Sequence, residues 1–184
     1  MLPMLKQKIS QAMKNSIESE KIKKFVKKII LISIVFLNIG CDQISKNIVR
    51  DKVIPNDYIH LLSDNFILTN VENTGAMLGF GQDLPPILKI IFLQVLPIVI
   101  LLVMLFSILK NGKINKWQAL AFAFVIGGGI GNLIDRILYN SVTDFFHIRI
   151  GFLKTGIFNM ADVSVTLGAI AILILNIKLK KLEI

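Results

Sequence analysis

Apolar residues dominate four stretches of the chain, and most charged residues lie between or beyond them. Residues 90–109 contain no charge and, at about 1.5 Å per helical residue, are long enough to cross the roughly 30 Å hydrocarbon core of a bilayer. Residues 117–134 are also uncharged, and their many small side chains favour close contact with other helices. Residues 157–177 and about 25–42 reach this length only if polar residues at one end are included. The pattern therefore predicts an integral membrane protein, mainly α, with four transmembrane helices.

The composition agrees with a membrane protein and narrows the chemistry. Of 184 residues, 54% are hydrophobic and 18% charged, whereas a soluble domain has roughly a quarter of its residues charged. The single cysteine, Cys41, excludes a disulfide framework and a cysteine-rich metal site. Two histidines, His60 and His147, leave few ligands for zinc.

Lysines are concentrated before the first predicted span, between the second and third, and after the fourth. With four spans these segments share one side of the membrane, and the positive-inside rule assigns them to the cytoplasm. Both termini are then cytoplasmic. The net charge of +9 reflects topology and contact with anionic lipids rather than nucleic acid. Residues 1–24 are predicted to be a basic cytoplasmic extension, either a helix on the inner leaflet or a frayed tail, residues 25–180 the membrane domain, and residues 181–184 a cytoplasmic tail.

The segment between the first two spans, about residues 50–86, is too long for a bare loop. Residues 58–62 and 66–71 predict a small hairpin joined by Ser-Asp-Asn, so we expect a β-rich cradle on the outer surface. Asp144 is expected in a short outer loop between the third and fourth spans.

Carboxylates gather at the outer ends of the predicted helices. Asp42 closes the first span, Asp135 the third, and Asp162 opens the fourth. Acidic groups at membrane depth are costly and are commonly functional. Asp144 and Asp162 are close enough in sequence to meet, and two adjacent carboxylates share one proton, as in aspartic proteases. Solvated helix ends would be the simpler interpretation of any one of them.

Other classes of function remain open from the residues alone. A small four-helix transporter could use outer-face carboxylates, although no acid is predicted at the bilayer midplane. Asp144 and His147 could bind a metal, but two ligands are too few. Residues 1–41 also resemble a lipoprotein signal peptide ending at Cys41, although three further spans follow. A membrane scaffold would leave the outer carboxylates unexplained.

Several motifs, taken in order, resemble lipoprotein signal peptidase, the type II signal peptidase of bacteria. They comprise Asp42 with Lys46, the Asn73-Thr74-Gly75-Ala76 turn, GGGIGNLIDR at residues 127–136, the Val-Thr-Asp-Phe around Asp144, and the Phe-Asn-Met-Ala-Asp that ends at Asp162. The resemblance extends over residues 25–180. It implies that Asp144 and Asp162 are the catalytic dyad. It also implies substrate-binding or supporting roles for Asp42, Lys46, Asn73, Gly75, Gly128, Gly131, Asn132, Asp135, Arg136, Asn159 and Ala161.

The same resemblance implies an enzyme of the bacterial cytoplasmic membrane with its active site at the outer face. Such an enzyme cleaves diacylglyceryl-modified prolipoproteins before the lipidated cysteine, uses no metal or other cofactor, is inhibited by globomycin, and is expected to be a monomer in contact with membrane lipids. The chain departs from the family pattern at Met77 and Leu78, at Gly129, and in the length of its basic extension.

Overall fold

The computed structural model describes residues 2–62, 65–110 and 114–182. The protein is mainly helical. Helix α1 (Leu2–Lys52) is followed by a continuous helix, Pro86–Lys110, made of α2 (Pro86–Ile90), a π-helical turn (Ile91–Val95) and α3 (Leu96–Lys110). Helices α4 (Lys116–Tyr139) and α5 (Met160–Leu182) complete the set. Most of the predicted Ser-Asp-Asn turn and the last two residues of the predicted tail lie outside the described residues.

Within the described part of the chain, three helices are long and apolar enough to cross a membrane. They are Pro86–Lys110, Lys116–Tyr139 and Met160–Ile177, and each contains or overlaps a predicted span. The predicted first span lies inside α1, which is not one of these three. In α1 the charge-free run is limited by Lys28 and Asp42.

Residues 2–24 are helical and continue without a break into the predicted first span. The basic extension is therefore helical. The basic extension and the predicted first span therefore belong to a single helix of 51 residues.

Helix α4 lies at the centre and is packed closely by its neighbours. Leu31 of α1 packs on Ala119 and Ala123 near the beginning of α4, and Lys46 of α1 reaches Asn132 near its end, so α1 and α4 run parallel. A Cβ at Gly128 would lie 2.4 Å from the carbonyl oxygen of Ala161 in α5. Glycines in α4 therefore allow the backbones of neighbouring helices to approach closely, as the sequence predicted.

Caps define both ends of α4. The Asn115 side chain accepts a hydrogen bond from the backbone N–H of Gln118, and the Gln118 side chain accepts one from the N–H of Asn115. At the other end Asn140 has φ +58° and donates its N–H to the carbonyl of Arg136. This termination directs the chain from α4 into the sheet.

Four antiparallel strands form one sheet in the order β1-β2-β3-β4. The predicted hairpin is confirmed as β1 (Ile59–Leu62) paired with β2 (Phe66–Asn73). The prediction of a short loop around Asp144 is wrong, since Asp144 lies in β3 (Val142–Ile150), which pairs with β2 and continues into β4 (Leu153–Lys154). β-Branched and aromatic residues fill this segment and favour a strand. The sheet therefore joins two separate parts of the chain.

Candidate active site

A buried ion cluster joins α1 to the end of α4. The ammonium group of Lys46 lies 2.7 Å from Asp42 Oδ2 and 3.0 Å from Asp135 Oδ2. All three side chains are 0% exposed. Arg50 adds a second cation 3.1 Å from Asp135 Oδ2. The negative charges of the two carboxylates are therefore matched by two positive charges, and buried charges are tolerated when they are paired in this way.

Spacing along α1 brings these cations to one place. Asp42, Lys46 and Arg50 follow one another at intervals of four residues, so they lie on one face of the helix. Gln43 Nε2 bridges the cluster by donating to Asp42 Oδ2, Asp135 Oδ1 and the carbonyl of Gly131 at 3.0–3.1 Å. The cluster therefore fixes the register between α1 and α4.

Asn132 connects the ion cluster to Asp162. Its side-chain oxygen accepts a hydrogen bond of 2.9 Å from Lys46, and its Nδ2 donates at 2.8 Å to Asp162 Oδ1. The amide orientation is thus set by a cation on one side and an acceptor on the other. Lys46 acts on Asp162 through this amide.

Asn159 caps α5 and holds both candidate catalytic carboxylates. Its Oδ1 accepts the N–H of Asp162 at 2.9 Å, and its own N–H donates to Asp162 Oδ2 at 3.2 Å, a reciprocal capping arrangement. Its Nδ2 donates to Asp144 Oδ1 at 2.6 Å and to Asn132 Oδ1 at 3.1 Å. One fully buried amide therefore connects the strand that carries Asp144 to the helix that carries Asp162.

Asp144 is 4% exposed and accepts a second hydrogen bond, of 3.0 Å, from Asn73 Nδ2. The pKa of Asp144 is raised to about 6 by burial above all, and also by the negative charge of Asp162. Hydrogen bonds from Asn73 and Asn159 and the charge of Lys46 oppose this rise. Asp144 therefore keeps its proton to a higher pH than an ordinary aspartate, up to about 6.

The turn after β2 is attached to α4 by Arg136. Arg136 Nη2 donates to the carbonyl of Gly75 at 3.1 Å, and the N–H of Gly75 donates to Asn73 Oδ1 at 2.9 Å. A Cβ at Gly75 would lie 2.6 Å from the carbonyl oxygen of Gly79, so the turn requires glycine there. Asn73 thereby contacts both the turn and Asp144.

The remaining predicted small residues surround the ion cluster. A Cβ at Gly131 would lie 2.6 Å from Asp42 Oδ2. Ala161 is fully buried, and its N–H donates to Asp42 Oδ1 at 2.9 Å. With Gly128 against the Ala161 carbonyl, these positions let α1, α4 and α5 meet next to Asp162.

Asp144 and Asp162 line one cavity of about 430 Å³. Asn73, Asn132 and Arg136 contribute further polar groups, and apolar side chains form most of the remaining wall. One wall comes from α5, including Thr166 and Leu167, and runs away from the sheet along the helix. Met77 and Leu78, two of the departures from the family pattern, also line the cavity. The cavity therefore combines a small polar end with an apolar channel.

Four contributors were not singled out from the sequence: Gln43, Arg50, Glu72 and Thr143. Thr143 Oγ1 donates to Glu72 at 2.6 Å and accepts from Arg50 Nε at 2.7 Å, which ties β2 and β3 to α1. The four-residue interval from Lys46 to Arg50 was the available signal. The roles of Glu72 and Thr143 become visible only when the strand register is known, and that of Gln43 only when α1 is packed on α4.

Metal binding finds no support among the described residues, where no group of three or more His, Cys, Asp or Glu side chains is arranged to hold an ion. Asp144 and His147 are three residues apart on one strand and therefore point to opposite faces of the sheet. The two-ligand alternative is wrong for this reason. Cys41, the cysteine of the lipoprotein-like pattern, lies exposed within α1.

Comparison with known proteins decides the family. A sequence model described as signal peptidase II matches residues 34–178. The chain belongs to the signal peptidase II family. It is 36% identical to the lipoprotein signal peptidase of Maridesulfovibrio salexigens over 144 residues, covering 78% of this chain and 91% of that protein. It is 33% identical to the Streptococcus pneumoniae enzyme of the same name over 153 residues, covering 83% and 95%. The chain is thus a protease, and the transporter alternative finds no support.

Solved structures agree with this assignment. A bacterial membrane enzyme determined by the in meso method at 2.3 Å is 30% identical, with a TM-score of 0.73 over 81% of this chain and 88% of that one. A second, determined at 1.9 Å, is 28% identical, with a TM-score of 0.70 over 81% and 93%. This signal peptidase II family member therefore has the fold of a membrane enzyme, consistent with a bacterial inner membrane protein.

Proposed function

We propose that this protein is an aspartic endopeptidase that removes the signal peptide from diacylglyceryl-modified prolipoproteins, cutting on the N-terminal side of the lipidated cysteine. One observation carries the proposal: Asp144 and Asp162 line a single cavity and are joined by the buried amide of Asn159. The family supports the reaction class, and this geometry supports the assignment of the two aspartates.

The dyad acts with one shared proton. Asp144, whose pKa is about 6, holds the proton and donates it to the carbonyl oxygen of the scissile bond. Asp162 accepts a proton from the attacking water, whose oxygen bonds to the carbonyl carbon. Collapse of the resulting diol breaks the C–N bond: Asp162 gives its proton to the leaving amine of the cysteine, and Asp144 takes a proton back from a diol hydroxyl as the carbonyl forms again. The two carboxyls titrate as a pair.

Arg136 and the ion cluster support this pair. Asn132, which is held by Lys46, orients Asp162, and Asn73 at the end of β2 orients Asp144. Two carboxylates with one proton carry a single negative charge, which the guanidinium of Arg136 in the same cavity balances. Supporting roles follow for Asp42, Gly75, Gly128, Gly131, Asp135 and Ala161, the residues that position these groups.

We further propose that α1 supplies a fourth transmembrane span. Over residues 27–46 it runs beside α4 in the same direction, with Lys27 against Ile114 at one end and Lys46 against Asn132 at the other. About 30 Å of helix is covered by this interval, which matches a bilayer core. Four spans put the termini on one side, the lysine-rich cytoplasmic side, and the dyad and sheet on the outer side.

Substrate access fits this arrangement. A lipidated precursor reaches the enzyme within the membrane, and the apolar channel along α5 is suited to an acyl chain or signal-peptide residues. The segment before α5 and the turn after β2, which contains a short 3-10 helix at Met77–Gly79, both line the cavity, and the cleaved peptide would lie between them. The enzyme needs no second copy to complete this site, so a monomer is expected.

A gel-shift cleavage assay tests the proposal. Purified protein in detergent is given a diacylglyceryl-modified prolipoprotein, the same precursor without lipid, and parallel reactions with globomycin or a chelator. We expect cleavage of the lipidated form alone, inhibition by globomycin, and no effect of the chelator. Equal cleavage of both forms would contradict the substrate assignment, and sensitivity to the chelator would contradict the aspartic mechanism.

A further inference from the structure

A second groove lies between α1 and α4, at the end of α4 that is opposite the dyad. Its volume is about 540 Å³. Lys116 on its rim and Asn132 in the candidate active site are sixteen residues apart on α4, or roughly 24 Å along the helix axis. The groove is therefore separate from the catalytic cavity, and no step of the proposed reaction uses it.

The walls of this groove are apolar and continuous along two helices. Apolar residues on one face of α1 line the groove together with Leu120 of α4. The α1 contributors are Ile22, Val26, Ile30, Leu31 and Ile34. Beside them the buried Leu31 packs on Ala119 and Ala123, so the groove is bounded by a fixed helix contact. Such a channel accommodates an unbranched hydrocarbon chain.

Three lysines and a tryptophan occupy the rim. Lys23 and Lys27 come from α1, and Lys116 and Trp117 from the first turn of α4. Lys27 Nζ donates to the Ile114 carbonyl at 3.0 Å, and Lys116 Nζ lies 5.1 Å from the Trp117 ring centroid. No carboxylate lines the groove among the described residues, and the adjacent Glu20 lies 3.6 Å from Lys23 in an exposed pair of little strength.

We propose that this groove binds one anionic phospholipid, with its phosphate against Lys23, Lys27 and Lys116 and one acyl chain between α1 and α4. Basic pockets between membrane helices attract acidic headgroups, and tryptophan prefers the level of the headgroups. A soluble anion would use the lysines but leave the apolar walls exposed. Only a ligand with both a negative charge and a hydrocarbon chain complements the lysines and the apolar walls.

Native mass spectrometry of the detergent-purified, delipidated full chain tests this site. The probes are phosphatidylglycerol, phosphatidylcholine with the same acyl chains, and inorganic phosphate. We expect one phosphatidylglycerol per chain, bound at least tenfold more tightly than phosphatidylcholine, because each lysine near the headgroup contributes roughly fivefold. Equal binding of the two lipids would overturn the proposal.

Two variants and one control locate the binding. Lys23→Gln/Lys27→Gln/Lys116→Gln should weaken phosphatidylglycerol binding at least tenfold, and Ile30→Trp should do so by filling the channel while all three charges remain. The control, Lys21→Gln/Lys24→Gln/Lys28→Gln, removes the same charge from α1 at residues that do not line the groove, and should retain binding. An equal loss in the control would show diffuse attraction instead. Phosphate binding that Ile30→Trp leaves unchanged, with no lipid selectivity, would likewise overturn the lipid site.

Discussion

Asn159 donates a 2.6 Å hydrogen bond to Asp144 while it caps the helix that begins just before Asp162. The position of the Asp144 carboxyl group thus depends on Asn159, the residue that initiates the helix carrying Asp162. Because the amide is fully buried, no solvent molecule replaces it easily. The separation of the dyad is therefore set by the end of a helix, which is more rigid than a loop.

Asn159→Ala should lose both functions. We expect turnover to fall by about a hundredfold or more, with the loss of about 1 kcal/mol of stability that removal of an N-cap costs. Cleavage rate and thermal unfolding in detergent measure the two effects. Asn115→Ala is the matched control, since it removes the cap of α4 far from the dyad. If both variants lost turnover equally, Asn159 would act only through helix stability.

Lys46→Met should destabilise the protein by about 3–5 kcal/mol, because it leaves Asp42 and Asp135 buried without their common cation. The double variant Asp42→Asn/Lys46→Met restores charge balance and should recover part of this loss. Chemical denaturation in detergent compares the two. Additive losses in the double variant would contradict the coupling. Asp135→Asn should likewise harm stability at least as much as turnover.

Gly128→Ala should displace the beginning of α5, since the added Cβ would lie 2.4 Å from the Ala161 carbonyl. We expect a lower melting temperature and a large loss of turnover, because Asp162 directly follows Ala161. Gly40→Ala in α1 is the matched control, as its Cβ meets no atom within 4 Å. This control should be neutral or stabilising by up to about 1 kcal/mol. Tolerance of alanine at Gly128 would show that the helices can separate without consequence.

The activity should decline as the pH rises through about 6, the pKa of Asp144, because the shared proton is then lost. The free energy of unfolding should also decrease as the pH rises. The folded pKa lies above the ordinary value of 3.8, so this group's contribution is complete below that value and disappears as the pH rises through about 6. The profile of kcat/KM against pH measures the first effect.

Asn73→Ala removes a hydrogen bond that favours the ionised form of Asp144. The alkaline limb should therefore move up by about one pH unit. Asn47→Ala, whose side chain contacts only the outer part of Arg50 among the contacts described, serves as the control and should leave the limb in place. A downward movement in Asn73→Ala would contradict the proton assignment.

Local patterns in the sequence predicted the helices of three spans and the first hairpin, because each depends on neighbouring residues. Strand β3 was not predicted, because its consecutive Phe145 and Phe146 interrupt the alternation of apolar and polar residues that is typical of a strand. Its pairing with β2 is a contact between distant segments. The role of Gln43 depends on the register of α1 against α4, which no local pattern specifies. By contrast, the buried Asp42 and Lys46 already share one face of α1, so the sequence made their pairing predictable.

The central claim is that Asp144 and Asp162 together perform the cleavage. The most direct test is the cleavage rate of Asp144→Asn and of Asp162→Asn on a lipidated prolipoprotein, beside the exposed Asp51→Asn as control, with melting temperatures measured on the same samples. We expect both dyad variants to be folded and without detectable cleavage, and the control to match the unmodified enzyme. Near-normal turnover in a folded Asp144→Asn or Asp162→Asn variant would contradict the account.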